Sequence, residues 1–238
     1  MIAGSFLQKP HSQQYNTLFF KIQGVQIIVP ATWQPHLLTC YTDSENQSDR
    51  MEHTEGEMGK LYFVRHGQTF WNVENKICGA TDIALTPLGH EQAVLTGKEI
   101  LKTGIMFDEI ISSPLIRASE TARHISEVTK KPMRLDARLT EQNFGRYEST
   151  ARDGTEFQLA KENFADRYGS GESMLHLAQR IYNLIDEIKA DPERKTYLLV
   201  AHNGIARVVE SYFRPMSNRE YARFGVKNCA VLSYEWED

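Results

Sequence analysis

Three short apolar runs in this sequence each end in side chains suited to moving a phosphoryl group. LYFV (Leu61 to Val64) leads into Arg65-His66-Gly67-Gln68-Thr69. DEIISS (Asp108 to Ser113) is followed by Pro114 and, three residues on, Arg117. TYLLVA (Thr196 to Ala201) leads into His202-Asn203-Gly204. An imidazole is a competent nucleophile toward phosphorus. A guanidinium offers a planar fork of donors that matches phosphate bidentately and never loses its charge. Two histidines and two arginines converging on one rim would supply a nucleophile and fixed cations around the transferring oxygens. A helix N-terminus beside that rim would add donors and a favourable dipole.

The elements that must position these groups are legible in the surrounding pattern. Short apolar runs closed by polar turns are expected of buried parallel strands. Thr86-Pro87 reads as an N-cap with proline at the first helical position, opening a helix that runs to about Lys102 and stops before Gly104. Ser113-Pro114 repeats the signal and opens a helix through about Thr129, followed by a short strand in KPMRL. Ser173 caps a helix whose Met174, Ala178, Ile181, Ile185 and Ile188 share one apolar face. A further helix follows from about Gly204 to Tyr212, and Ala230 to Tyr234 make the last strand. Strands alternating with helices imply an α/β domain with a largely parallel, helix-covered sheet. Ligands in such domains sit beyond the carboxyl ends of the strands, where all three reactive clusters fall. His90, His124 and His176 lie inside the predicted helices and read as ordinary helix residues, and Asp82 as a turn residue.

The bulk composition excludes several classes. With 238 residues, 41% hydrophobic and 24% charged, the chain can bury a sizeable core. A formal net charge of −4 argues against a nucleic-acid partner. Three cysteines without CxxC spacing argue against a disulfide framework or zinc motif and for a reducing, cytoplasmic setting. No run approaches the ~20 apolar residues that span a bilayer, and no secretory signal is evident, so no membrane role is expected. Residues 1–57 read differently. Residues 18–29 could form one or two short strands closed by Pro30, whereas Tyr41 to Gly59 is almost wholly polar and reads as a linker. This extension carries no chemistry. It reads as a poorly ordered or accessory appendage, or as the result of a start assigned ahead of Met58, before a domain over 58–238.

LYFVRHGQT resembles the signature of the histidine phosphatase (phosphoglycerate mutase-like) superfamily. SSPLIRASETA is similar to that family's second arginine motif and VAHNG to its second-histidine motif. The resemblance extends through WNVENKICGATDIALTPLGHEQA, LTEQNFGRYES, Gly171-Glu172-Ser173 and NCAVL, covering residues 58–238. It implies a three-layer α/β/α sandwich with a largely parallel central sheet. It also implies His66 as nucleophile, Arg65 and Arg117 as phosphate-binding arginines, and His202 as the pocket histidine that stabilises the phosphoryl oxygens. Glu141 matches the general acid that protonates the leaving oxygen and then activates water. Some family members carry an aspartate directly after the second histidine; here that position is Asn203, which strengthens the case for Glu141. Asn72 matches a phosphate-contacting residue, with Gln68, Thr69 and Asn203 as further substrate-binding candidates. Positive surroundings are expected to keep His66 neutral.

The EQNFGRYE stretch that begins at Glu141, and the short segment before Ser173, resemble the phosphatase branch. The expected partner is a small phosphorylated substrate, with homodimer assembly left open. No cofactor or metal is implied, since arginines and histidines supply the charge and no His/Asp/Glu cluster at ligand spacing is apparent. A cofactor-dependent phosphoglycerate mutase is the alternative within the family. A non-catalytic phospholigand-binding domain is the alternative of another class.

Overall fold

The computed structural model describes residues 17–22, 25–30 and 58–237. Strands β1 (Thr17–Ile22) and β2 (Val25–Pro30) pair antiparallel as a two-stranded sheet. They belong to a unit, residues 1–54, separate from the unit formed by 55–238. The polar stretch read as a linker lies almost wholly outside the described residues.

The second unit is built from β3 (Gly59–Arg65), α1 (Phe70–Val73), α2 (Pro87–Thr103), β4 (Glu109–Ser112), α3 (Ile116–Thr129) and β5 (Met133–Leu135). These are followed by α4 (Thr155–Ala160), α5 (Met174–Lys189), β6 (Tyr197–Ala201), α6 (Asn203–Phe213), α7 (Asn218–Arg223) and β7 (Val231–Trp236). Five strands form one sheet in the order β5-β4-β6-β3-β7; only β7 runs antiparallel, against β3. Side chains alternate between the two faces of a strand. Leu61, Phe63, Leu199 and Ala201 accordingly pack on one face with α5 and α6, through Leu177, Ile181, Ile205 and Val209. Tyr62, Val64, Leu198 and Val200 pack on the other face with α2 and α3, through Ile100, Ala122 and Ile125. The result is a three-layer α/β/α sandwich with a mostly parallel sheet.

The helix boundaries follow local chemistry. The Thr86 hydroxyl accepts from Gly89 N, with Pro87 in the first turn, and α2 ends at Gly104 in the left-handed conformation (φ 71°). Ser173 accepts from His176 N at the head of α5. That helix's buried stripe is broader than Met174, Ala178, Ile181, Ile185 and Ile188, because Leu177 and Leu184 join it. One expected cap differs. α3 begins at Ile116, and the residue ahead of it, Leu115, makes no side-chain cap. Ser113 hydrogen-bonds His202 instead. The first-turn N–H of Ile116 donates to the Asp82 carboxylate at 2.7 Å, an acceptor from a distant loop. Asp82 thus caps a helix from outside rather than serving only its own turn.

A second difference concerns metal-ligand spacing. Glu120 and His124 lie one turn apart on α3, and His90 of α2 joins them to form a His/Glu cluster. The sequence hid it because its third member comes from another helix. Among the described residues, no helix is long and apolar enough to cross a membrane.

Candidate active site

Strand register brings the two histidines together. Arg65 lies opposite Ala201 in the parallel β3–β6 pair, and His66 N continues the ladder to Ala201 O at 2.9 Å. His66 and His202 therefore leave adjacent strands side by side, with ring centroids 5.2 Å apart. Ser113, following β4 on the other side of β6, donates its N–H to Val200 O.

The His66 loop is pressed against α2. A Cβ on Gly67 would lie 2.4 Å from Gly89 O, so neither the RHG nor the TPLG glycine leaves room for a side chain. Gly67 N donates to Thr121 Oγ1 of α3 at 3.0 Å. Within this loop His66 Nδ1 lies 2.7 Å from Gly67 O. A carbonyl can only accept, so Nδ1 carries the proton and Nε2 keeps its lone pair. Burial, with Arg117 and Arg65 adding to it, drives the His66 pKa well below its ordinary value of 6.5. The imidazole is neutral and nucleophilic at Nε2.

Arg65 Nη1 donates to Val226 O at 2.6 Å, while its buried Nε has no hydrogen-bond partner. Burial and the neighbouring Arg152 lower its pKa to about 10, which leaves it charged at neutral pH. Arg117 is wholly buried. Its Nη1 donates to Thr81 O (2.8 Å), its Nη2 to Gly79 O (2.7 Å) and its Nε to His202 Nδ1 (3.2 Å). Because Arg117 only donates, His202 Nδ1 must be the unprotonated nitrogen, and Nε2–H donates to Ser113 Oγ at 2.8 Å. Burial, then Arg117, hold the His202 pKa well below its ordinary value.

The loop carrying the Gly79 and Thr81 carbonyls is itself fixed by Glu148. That carboxylate accepts from Gly79 N, Ala80 N, Thr81 Oγ1 and Phe144 N at 2.7–3.1 Å. Glu148 lies in the LTEQNFGRYES motif, where nothing in its spacing marks this role. Glu148→Ala should leave these donors without their acceptor and free the carbonyls that aim Arg117. The expected result is a fall in kcat/KM of roughly 10–100-fold, since a 1 Å displacement of a positioning group costs about that much. Stability should drop by about 2 kcal/mol. Steady-state kinetics with a thermal melt checks both, and an unaltered rate would show that the loop does not position Arg117.

Glu141 is buried, with Oε1 accepting from Gln142 N and Oε2 from Gly204 N, each at 2.9 Å. The second bond places it on the N-terminus of α6. A Cβ on Gly204 would lie 2.4 Å from Glu141 Oε1, so this glycine of the HNG motif makes room for the carboxylate. Gly204→Ala should push Glu141 aside and lower kcat roughly 10–100-fold with the fold retained. Rates on an alkyl phosphate beside a circular-dichroism melt would test this, and wild-type turnover would contradict it.

Asn72 Oδ1 accepts from Thr69 N and from Asn228 Nδ2, which leaves its amide N–H groups for a ligand. Asn228 also donates to His66 O at 2.8 Å. Asn228 opens the NCAVL motif, and its contact with the His66 loop is not legible from the sequence. Asn203 lines the cavity and accepts from Val226 N. Gln68 and Thr69 do not line it. Gln68 is bonded to Thr86 and Gln92 of the α2 turn, and Thr69 is the buried N-cap of α1.

The cavity so formed is about 200 Å³ and is lined by Arg65, His66, Asn72, Glu141, Asn203 and Gly204. Its outer wall comes from the segment after Glu141, held by the packing of Phe144, Tyr147, Phe157 and Tyr168. Three more cations line it: Arg152, Lys161 and Arg207. None takes part in an ion pair with a carboxylate among the described residues. Burial, with Arg207 and Arg152 adding to it, lowers the Lys161 pKa to about 8.

Comparison with known proteins decides the family. The sequence model described as "Histidine phosphatase superfamily (branch 1)" matches residues 61–238. The chain belongs to the histidine phosphatase superfamily. Among its relatives, "Probable phosphoglycerate mutase GpmB" of Erwinia tasmaniensis is 32% identical over 181 residues, covering 73% of this chain and 83% of that protein. The protein of the same name from Yersinia pestis is 30% identical, covering 76% of this chain and 86% of its own length. Among solved structures, a mycobacterial glucosyl-3-phosphoglycerate phosphatase superposes with a TM-score of 0.64 at 27% identity, covering 74% of this chain and 90% of that one. A phosphoserine phosphatase from Entamoeba histolytica gives 0.64 at 28% identity, over 73% and 89%. This member of the superfamily thus has structural neighbours called phosphatases and relatives called mutases.

Proposed function

We propose that the protein is a phosphomonoesterase that hydrolyses a small phosphorylated metabolite through a phosphohistidine on His66. One observation carries this reading: a neutral imidazole with its Nδ1 proton tied to Gly67 sits beside a buried guanidinium whose Nε has no acceptor. A phosphoryl oxygen is the acceptor that such a donor fits. Arg65 and the Asn72 amide, which line the cavity, would hold the non-bridging oxygens. Arg117 adds its charge from behind them, and His202 would join them by turning its Nε2–H from Ser113 Oγ to the phosphoryl group. His66 Nε2 attacks phosphorus as the bond to the leaving oxygen breaks, and Glu141 gives that oxygen a proton. Glu141 then takes a proton from water, which attacks phosphorus and releases inorganic phosphate and neutral His66.

Hydrolysis is favoured over mutase chemistry by the short segment 142–172 and by the phosphatase names of the solved neighbours. The mutase reading rests on the names of the relatives. The three further cations favour a substrate with a second negative charge, as the names phosphoserine and phosphoglycerate describe for two neighbours. The cation cradle does the work of a metal, so vanadate should inhibit and a chelator should not abolish turnover. The free thiols of Cys78 and Cys229, both pushed up to about 11 by burial, fit a reducing cytoplasm. The test is a phosphate-release screen over p-nitrophenyl phosphate and metabolite phosphates. It should include 3-phosphoglycerate with and without 2,3-bisphosphoglycerate. Steady release, highest for substrates with a second anionic group, is expected; isomerisation without release would establish the mutase instead.

A further inference from the structure

One cluster of titratable side chains lies outside the catalytic cavity and takes no part in the chemistry above. His90 in the first turn of α2 and His124 on α3 face each other across the helix pair. His90 Nδ1 lies 2.9 Å from His124 Nε2, and the rings meet edge to face at 5.2 Å. Glu120 stands one turn before His124, and one donor atom from each of the three lies within 4.8 Å of the others.

A hydrogen bond between two imidazoles would explain the 2.9 Å contact by itself. The surroundings add to it. His124 Nδ1, the nitrogen turned away from His90, lies 3.6 Å from the Glu127 carboxylate. Metal-bound histidines keep their second ring N–H on a carboxylate, which fixes the ring and raises the basicity of the ligating nitrogen. Burial, then Arg123 and His90, lower the His124 pKa, and the neutral imidazole is the form that ligates. Zinc–nitrogen bonds of about 2.0–2.1 Å in a tetrahedral site place ligand atoms roughly 3.4 Å apart. The two nitrogens need only part by a few tenths of an ångström. Glu120 is now paired with Arg123 at 2.6 Å, and Arg123 keeps Glu127 as a second partner. Surface ion pairs of this kind are weak, so Glu120 is readily released.

We propose that His90, Glu120 and His124 form a site for a divalent transition cation of the zinc class, which joins α2 to α3 behind the catalytic loop. Two imidazoles and one carboxylate suit zinc, nickel or copper; magnesium and calcium take oxygen sets. The neighbours of the ligands give the site its consequence. Gly89, before His90, packs on the Gln68 backbone, and Thr121, after Glu120, holds Gly67 N. Both helices thus touch the loop that carries His66. A cation bridging them binds the folded chain and not the unfolded one, and so stabilises the fold. None of its ligands lines the catalytic cavity, so the cation is not a catalytic one.

The test is calorimetric titration of the full-length, chelator-treated protein with zinc chloride, beside thermal melts with zinc or magnesium. Zinc should raise Tm by about 5–10 °C when present a hundredfold above its Kd, and millimolar magnesium should not. His90→Ala and His124→Ala should each remove that rise. Glu127→Gln, which keeps all three ligands, should weaken zinc about tenfold as an orienting partner does. Vanadate should leave zinc binding unchanged. The proposal is overturned if zinc gives no rise, if both histidine variants keep the full rise, or if vanadate displaces the metal. The last result would place zinc on His66 and His202.

Discussion

Replacing His66 by alanine is expected to lower kcat by at least about 10⁴-fold, because it removes the nucleophile that carries the phosphoryl group. Arg65 and Arg117 are anchored on Val226, Gly79 and Thr81 and owe nothing to the His66 ring. The variant should therefore still bind phosphate and vanadate with near-normal affinity, which separates lost chemistry from a lost fold. The pH profile of the native enzyme should carry the signature of the same residue. The folded-state pKa of His66 lies well below 6.5, so the rate should show no acidic limb near 6.5, where an ordinary histidine would begin to protonate. Stability should behave in the opposite sense. His66 and His202 both have depressed pKa values in the fold. Below about pH 6.5 the unfolded chain binds protons that the folded chain does not, so stability is full above that pH and declines as pH falls through it. A His66→Ala enzyme with near-native turnover would end the phosphohistidine mechanism.

Glu141→Gln is expected to separate substrates by their leaving groups. An alkyl phosphate expels a strongly basic oxygen and needs the proton that Glu141 supplies. General acid catalysis contributes ~10²–10⁴-fold, so the alkyl rate should fall by about that much. p-Nitrophenyl phosphate expels a stable phenolate, so formation of its phosphoenzyme should slow far less. The substitution also sets an amide N–H₂ against one of the two backbone donors, Gln142 N or Gly204 N, and shifts the side chain. Such a shift would slow both substrates alike, which is why the alkyl-to-aryl ratio is the informative quantity. Equal losses on both would make Glu141 a positioning residue.

Much of this site could be read before any coordinates, because its parts are tied to local patterns. Arg65, His66 and His202 end apolar strands, and parallel register places such ends together. Thr86 and Ser173 cap the helices their spacing announces. What the sequence hid depends on contacts between distant segments. Ser113 looked like a helix cap, yet its hydroxyl is engaged by His202, 89 positions away. The cap on α3 comes instead from Asp82. Glu148 looks like any surface carboxylate until three donors from a distant loop close on it, and Asn228 reaches His66 across 162 positions. The His90–Glu120–His124 group is invisible for the same reason, since helix packing and not spacing assembles it. Thr69 shows the converse case. Its place in RHGQT suggests a phosphate contact, whereas its hydroxyl accepts from Asn72 N at the head of α1 and the residue does not line the cavity.

The central claim is most directly tested by trapping the phosphoenzyme. Glu141→Gln mixed with excess p-nitrophenyl phosphate and quenched in base within milliseconds should carry one phosphoryl group per chain, acid-labile and base-stable. Because Gly67 O holds the proton on Nδ1, phosphorus NMR of the digested peptide should show the phosphoryl group on Nε2 of His66. No label, or label on any residue other than His66, would contradict the mechanism.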